Sequence, residues 1–168
     1  MVEITIDTRE KTPWSFDSTL AKVSIGTLRT GDYAVTGDTG FAIERKSLDD
    51  FLGTISTGWR RFQREVYRAR ERGFNLPVLV EGRLEHCLFH LDAVADAIVP
   101  PAHDHLKLTP QFVLKRIGEL AQMGASVMFC ERAEYAVAVA YAMLVERNNV
   151  LHKDDDDELP RNEDNRKS

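Results

Sequence analysis

Chemistry is concentrated between Thr30 and Asp50, in the run Thr-Gly-Asp-Tyr-Ala-Val-Thr-Gly-Asp-Thr-Gly-Phe-Ala-Ile-Glu-Arg-Lys-Ser-Leu-Asp-Asp. Asp32 is followed after eleven residues by Glu44, and Glu44 after one by Lys46. Tyr33–Thr36 and Phe41–Lys46 read as two strands of a hairpin, with Gly37-Asp38-Thr39-Gly40 as its turn. Strand side chains alternate, so Glu44 and Lys46 share one face and Ile43 and Arg45 take the other. Asp32, at the start of the facing strand, comes close to Glu44. Two carboxylates and a lysine at one end of a sheet are costly to hold together unless a cation lies between them. Magnesium, a hard cation, is often held by one or two carboxylates, with waters and a substrate phosphate completing its shell. A lysine beside it can orient or deprotonate water, or stabilise charge on a phosphate. Taken alone, so short a pattern is better explained as a surface hairpin with a Glu–Lys pair.

The flanking residues change that balance. Upstream, Ile4-Thr5-Ile6-Asp7-Thr8-Arg9-Glu10 is an alternating strand that ends in Asp7-x-Arg9-Glu10; downstream, Asp50 completes Glu44-Arg45-Lys46-x-x-x-Asp50. Asp7-x-Arg9-Glu10, then Gly31-Asp32, then Glu44-Arg45-Lys46-x-x-x-Asp50 together resemble the nuclease domain of the XPF family of structure-specific DNA endonucleases, over about residues 2 to 81 by motif and more loosely to 148 by element order. The resemblance implies a restriction-endonuclease-like nuclease fold and metal-assisted phosphodiester hydrolysis by one or two magnesium ions, with manganese able to substitute. By position in the motifs, Asp7, Asp32 and Glu44 are the implied metal ligands and Lys46 the catalytic lysine near the attacking water. Arg9 (phosphate contact), Arg45 (structural pairing or phosphate) and Asp50 (orientation of Lys46 or Arg45, or simply a first-turn helix acid) are the implied supporting residues.

The elements that must position these groups follow from periodicity. Val2–Asp7 is a first strand with Val2, Ile4 and Ile6 on one face, and Lys22–Ile25 a short second one. Ser47 is an N-cap for a helix carrying Leu48, Phe51, Leu52 and Ile55. After Ser56-Thr57-Gly58, the stripe Trp59, Phe62, Val66, Ala69 continues to a stop at Gly73. Pro77–Glu81 reads as a buried strand, Leu84–Ile98 as helical up to Pro100-Pro101, and residues 102–108 as a loop. Thr109 with Pro110 opens a helix that Gly124 closes, Ala125–Cys130 is a last strand, and Glu134–Arg147 is an alanine-rich helix suited to core or to a subunit interface. The order implies an α/β fold, a mixed central β-sheet flanked by helices. Residues 1–150 form the nuclease-type domain, and 151–168 an acidic tail that reads as disordered.

Composition bounds the rest. The chain has 168 residues and a net charge of −5, of which residues 153–168 carry −3. Between Gly58 and Gly73, six arginines face two glutamates. Such a local basic run beside an acidic site suits a surface that tracks phosphates. Arg60, Arg61, Arg64 and Arg68 are the candidate DNA contacts; arginine's fork suits phosphate better than a lysine would. Two cysteines make no disulfide framework, and neither a signal segment nor a membrane span is evident, so a reducing, cytoplasmic compartment is expected. That means the nucleoid or a host cytoplasm if phage-encoded, a format the small size suits, and the nucleus if eukaryotic. Cys87-x-x-His90 with His103-x-His105 is a weak zinc pattern, better read as a packed cysteine with solvent histidines.

The expected partner is DNA, branched or flapped, cut during repair, recombination or replication; no membrane and no nucleotide cofactor are expected. The resemblance implies a homodimer or heterodimer. The stretch ends in an acidic tail and not in the tandem helix-hairpin-helix module such enzymes carry, which leaves the preferred DNA structure open. Two alternatives stand beside this reading: a catalytically inactive DNA-binding or scaffold subunit of a nuclease complex, and a nuclease acting on unstructured or RNA substrates.

Overall fold

The computed structural model describes residues 1–88, the strand residues 90–92 and 97–99, and residues 108–157. Strand β1 (Val2–Asp7) lies between β2 (Ala21–Gly26), its parallel partner, and β3 (Tyr33–Val35), its antiparallel one. A second ladder is parallel throughout: β4 (Glu44–Ser47), β5 (Val78–Glu81) and β8 (Val127–Phe129), in the order β4-β5-β8. The two ladders meet at the single antiparallel bridge Tyr33–Ile43.

Val78, Leu79 and Val80 of β5 are all buried, and their alternation between the two faces sorts the core into two layers. Leu79 packs with Val2, Ile4, Ile6, Tyr33 and Ile43 under the buried face of α5 (Ala133–Asp157), formed by Ala136, Ala140 and Leu144. Val78 and Val80 face the other way, onto α1 (Leu48–Ile55), α2 (Trp59–Glu71) and α4 (Pro110–Gln122) through Phe51, Leu52, Trp59, Phe62, Val66, Val113 and Leu120. The result is a mixed three-stranded sheet and a parallel one, joined at that bridge and flanked by helices, the α/β arrangement that the element order implies. The caps hold as read. Ser47 accepts from the Asp50 amide, Thr109 accepts from that of Phe112, and Gly73 and Gly124 leave their helices at positive φ.

Three elements depart from expectation. The hairpin Tyr33–Thr36/Phe41–Lys46 is reduced to the Tyr33–Ile43 bridge. Its first strand is held by β1, while its second is drawn early to the segment before β5: Asn75 donates to the Gly40 carbonyl and accepts from the Ala42 amide. The helix expected over Leu84–Ile98 stops at α3 (Leu84–Leu88), and β6 (His90–Asp92) pairs with β7 (Ala97–Val99). Ile98 and Val99 are β-branched, and Val99 precedes a proline; both features disfavour helix. Helix α5 runs on past Arg147 to Asp157, through the start of the segment read as tail. No glycine or proline interrupts residues 148–157, and Leu151 still packs on the core. Residues 158–168, and most of the loop expected at 102–108, lie outside the described residues. The α5 face that the sequence left between core and interface is core. Among the described residues no helix is long and apolar enough to cross a membrane.

Candidate functional site

The site forms where the two ladders meet. Gly31 turns the chain at φ +78, and a Cβ there would stand 2.8 Å from that of Ala42, so glycine alone admits this close approach. Asp32, next in line, is pinned across the junction. Its amide donates to the Ile43 carbonyl (2.8 Å), its carbonyl accepts from the Asp7 amide (2.8 Å), and its Oδ2 accepts from the Arg45 amide (2.8 Å). Glu44 is anchored to the Pro77 carbonyl through its amide (2.9 Å) and to Lys46 Nζ through Oε1 (2.8 Å). Lys46 Nζ lies 5.1 Å from the Phe62 ring centre, so β4 packs this face on α2.

Arg45 points to the opposite face, as alternation requires. Its Nε donates to Glu81 Oε1 (2.9 Å), its Nη1 pairs with Glu10 (3.4 Å), and the guanidinium lies over Trp14. Trp14 Nε1 donates to the same Glu81 oxygen (2.5 Å), so Arg45 is a structural tie behind the site. Asp50 bonds Ser47 Oγ (2.7 Å), which makes it a helix-cap acid.

One cavity of about 570 Å³ is lined by Asp32, Glu44 and Glu65 together with Arg9, Arg29, Arg61, Arg68 and Arg72. Asp7 is not among its lining residues. Its carboxylate is fully buried: Oδ1 accepts from the Arg9 amide (2.9 Å) and Arg9 Nε (2.6 Å), Oδ2 from the Leu28 amide (2.6 Å). Burial works against ionisation of Asp7, but these bonds hold it below the usual carboxylate range. Arg9, held by Asp7, reaches the cavity; Arg60 and Arg64 do not line it.

Helical geometry explains the arginine selection. Arg61, Glu65, Arg68 and Arg72 recur at spacings of four, three and four, one face of α2 and its cap, whereas Arg60 and Arg64 lie off that face. In the sequence Glu65 stands only as a charge opposing the arginines and nothing marks Arg29; the 61-65-68-72 spacing is the available signal for Glu65.

Burial first, and then Glu44, push the Asp32 carboxyl up to about 7. Glu65 is raised too, by burial and then by Glu44. A cluster of acids this reluctant to ionise together suits a hard cation. Asp32 Oδ2 and Glu44 Oε1 are engaged by protein, leaving Oδ1 and Oε2 as free donors. Among the described residues no three His, Cys, Asp or Glu converge into a metal-binding group, so a cation here would need water and phosphate for its remaining positions. Cys87 is buried, its thiol pushed up to about 12 by burial; the His90 side chain, His103 and His105 lie outside the described residues.

The raised Asp32 group has a stability consequence. Unfolded, it ionises near 3.8; folded, near 7, so between those values the fold binds the extra proton and loses stability as pH rises. In EDTA at pH 8, Asp32→Asn is therefore expected to be more stable than the wild type by on the order of 2 kcal/mol, the advantage vanishing near pH 4. Thermal melts at the two pH values check this; an equal shift at both would contradict it.

A search of curated proteins gives no significant match. Two solved structures share the fold: XPF from Aeropyrum pernix (19% identity, TM-score 0.61, covering 86% of this chain and 61% of that one) and XPF from Aeropyrum pernix in complex with DNA (19% identity, TM-score 0.60, 90% and 66%). The chain thus spans about three fifths to two thirds of those solved chains. The ERCC4 domain family matches residues 6–102, more than half the chain and all the residues that build the cavity, and the chain belongs to the ERCC4 domain family.

Proposed function

We propose that this protein is a divalent-metal-dependent DNA endonuclease acting on branched or flapped DNA. The observation that carries the reading is the cavity itself: Asp32 and Glu44 side by side, Glu65 opposite, and five arginines around them. Arginines alone would serve any polyanion. Acids buried among them would repel phosphate unless a cation intervenes, so both features together point to phosphodiester chemistry. The likeness to a DNA-bound XPF supports DNA as the polymer.

Asp32 and Glu44 would hold magnesium, or manganese in its place, through Oδ1 and Oε2. The ion, when bound, supplies Lewis-acid polarisation of the phosphate and a more acidic water. The Arg45 amide fixes the Asp32 carboxylate, and the Arg45–Glu81–Trp14 tie fixes β4 beneath it. Lys46, half-buried against Phe62, does not itself line the cavity; paired with Glu44, which does, it would meet a water or a phosphate oxygen beside that carboxylate. Asp7 serves as a buttress that aims Arg9; to ligate a cation it would first have to release Arg9 or Leu28. Arg9, Arg29, Arg61, Arg68 and Arg72 bind successive phosphates.

The test compares flap, fork, four-way junction, duplex and single strand, by fluorescence anisotropy at several salt concentrations and by strand scission in magnesium. Preference for branched substrates in both assays is expected. Arg61→Gln and Arg68→Gln should each flatten the slope of log affinity against log salt by about 1, with little regard to sequence. Salt slopes unchanged by both substitutions would remove this cavity from the DNA path.

A further inference from the structure

A second cavity, of about 400 Å³, opens beside the first and shares Arg29, Thr30 and Arg72 with it. Its character differs. Phe41, Phe74, Ala34, Ala42 and Ala69 line it, with Phe41, Ala34, Ala42 and Ala69 buried and Phe74 half-buried; the carboxylate in its wall, Asp38, is neutralised by Arg147. Thr27 and Thr39 add hydroxyls at the rim, and neither they nor the Arg29 and Arg72 guanidiniums have a partner among the described residues. An apolar recess with a few polar groups at its mouth is the usual form of a small-molecule site, and its volume lies within the range of such sites.

What belongs there follows from the shared wall. Any strand whose phosphates lie along Arg9, Arg61 and Arg68 passes Arg29 and Arg72, the two cations between the recesses. A base attached at that point has the acidic cavity on one side and the phenyl-lined recess on the other. The acidic cavity repels an electron-rich base edge, whereas the apolar one offers aromatic faces, which stack on every base without regard to sequence.

We propose that this recess is a nucleobase pocket: it takes one unpaired base of the strand to be cut, with that nucleotide's phosphate held between Arg29 and Arg72. The inference rests on the nuclease reading and deepens it. A pocket that requires an unpaired base makes the enzyme select strands that have already left the duplex, which links the recess to a preference for branches and flaps.

The experiment is an abasic scan. In flap DNA, each nucleotide around the branch is replaced in turn by an abasic residue, which keeps the phosphate and removes the base. Binding is measured in EDTA for the wild type, Phe74→Ala and Thr39→Trp, with circular dichroism to confirm folding. The wild type should lose about tenfold in affinity at one position near the cut and little elsewhere. In Phe74→Ala, and in Thr39→Trp where the mouth is plugged, intact flap should bind about tenfold more weakly, and the abasic residue at that position should then cost nothing further. A wild-type scan with no sensitive position overturns the pocket even if neither variant folds, and so do base and side-chain losses that simply multiply. Either result leaves the nuclease reading standing if flap DNA is still bound and cut. Failure to bind any DNA overturns that reading and the pocket with it.

Discussion

Asp32→Ala is expected to bind flap DNA at least as tightly as the wild type in EDTA, yet to cut it ~10³-fold more slowly in magnesium. The separation of the two effects is the informative part. Asp32 sits among five arginines, so removing its charge takes a repulsive group away from incoming phosphates and leaves the cations in place. The same substitution deletes one of the two carboxylates proposed to hold a cation and relieves the burial and Glu44 repulsion that raise Asp32 to about 7. Binding should hold or improve while chemistry collapses. Glu44→Gln should behave likewise, with an added loss because Lys46 keeps its place through Glu44 Oε1. Parallel loss of binding and cutting would show that Asp32 acts through the Gly31–Ile43 junction it pins. Unaltered cutting would remove it from the site.

The largest stability effect is expected outside the acidic cavity, at a carboxylate that lines the second recess. Asp38, in the turn of the anticipated hairpin, has 2% of its side chain exposed and accepts two bonds from Arg147 of α5: Nε to Oδ2 at 2.7 Å and Nη2 to Oδ1 at 2.9 Å. The Gly40 amide donates to Oδ1 as well, and a Cβ at Gly40 would stand 2.8 Å from Arg147 Nη2, so the turn is shaped to admit the guanidinium. Arg147→Met would strand a buried carboxylate. Removing one partner of a fully buried pair costs ~3–5 kcal/mol; because Arg147 is itself 27% exposed, about 2–3 is expected here. For a domain of this size that is a fall in Tm of roughly 4–12 °C. Burial opposes ionisation of Asp38, but the Arg147 bonds hold it below its ordinary value. Its contribution is therefore present above about pH 4 and lost as the carboxylate protonates below that, so the deficit of the variant should narrow in acid. Urea unfolding at pH 7 and pH 3.5 checks both parts; a deficit independent of pH would mean that Arg147 stabilises by packing alone.

Local signals were legible and long-range pairings were not. Ser47 and Thr109 announce their helices because a cap is a matter of neighbouring residues, and β1 shows its face in Val2, Ile4 and Ile6. The nearness of Asp32 and Glu44 was legible too, although the expected hairpin is a single bridge, because Gly31 and Ile43 meet under either pairing. What β3 and β4 each prefer as partner depends on β1 and β5, which lie elsewhere in the chain. The Asp38–Arg147 tie spans 109 residues, and nothing near either residue announces it. Asp7 matches a motif position, but only the fold shows its oxygens taken by Arg9 and Leu28. The arginines of α2 were legible as a group; which of them face the acids required the helix phase and the position of β4.

The most direct measurement is strand scission of end-labelled flap DNA by the wild type and Asp32→Ala, each with magnesium, with magnesium plus excess EDTA, and with magnesium restored. The account predicts cutting by the wild type that stops in EDTA, returns with the metal, and is missing from the variant under all three conditions. Tight binding by the wild type without cutting in any of them would contradict it, and the arginine-lined cavity would then belong to a DNA-holding subunit and not to an enzyme.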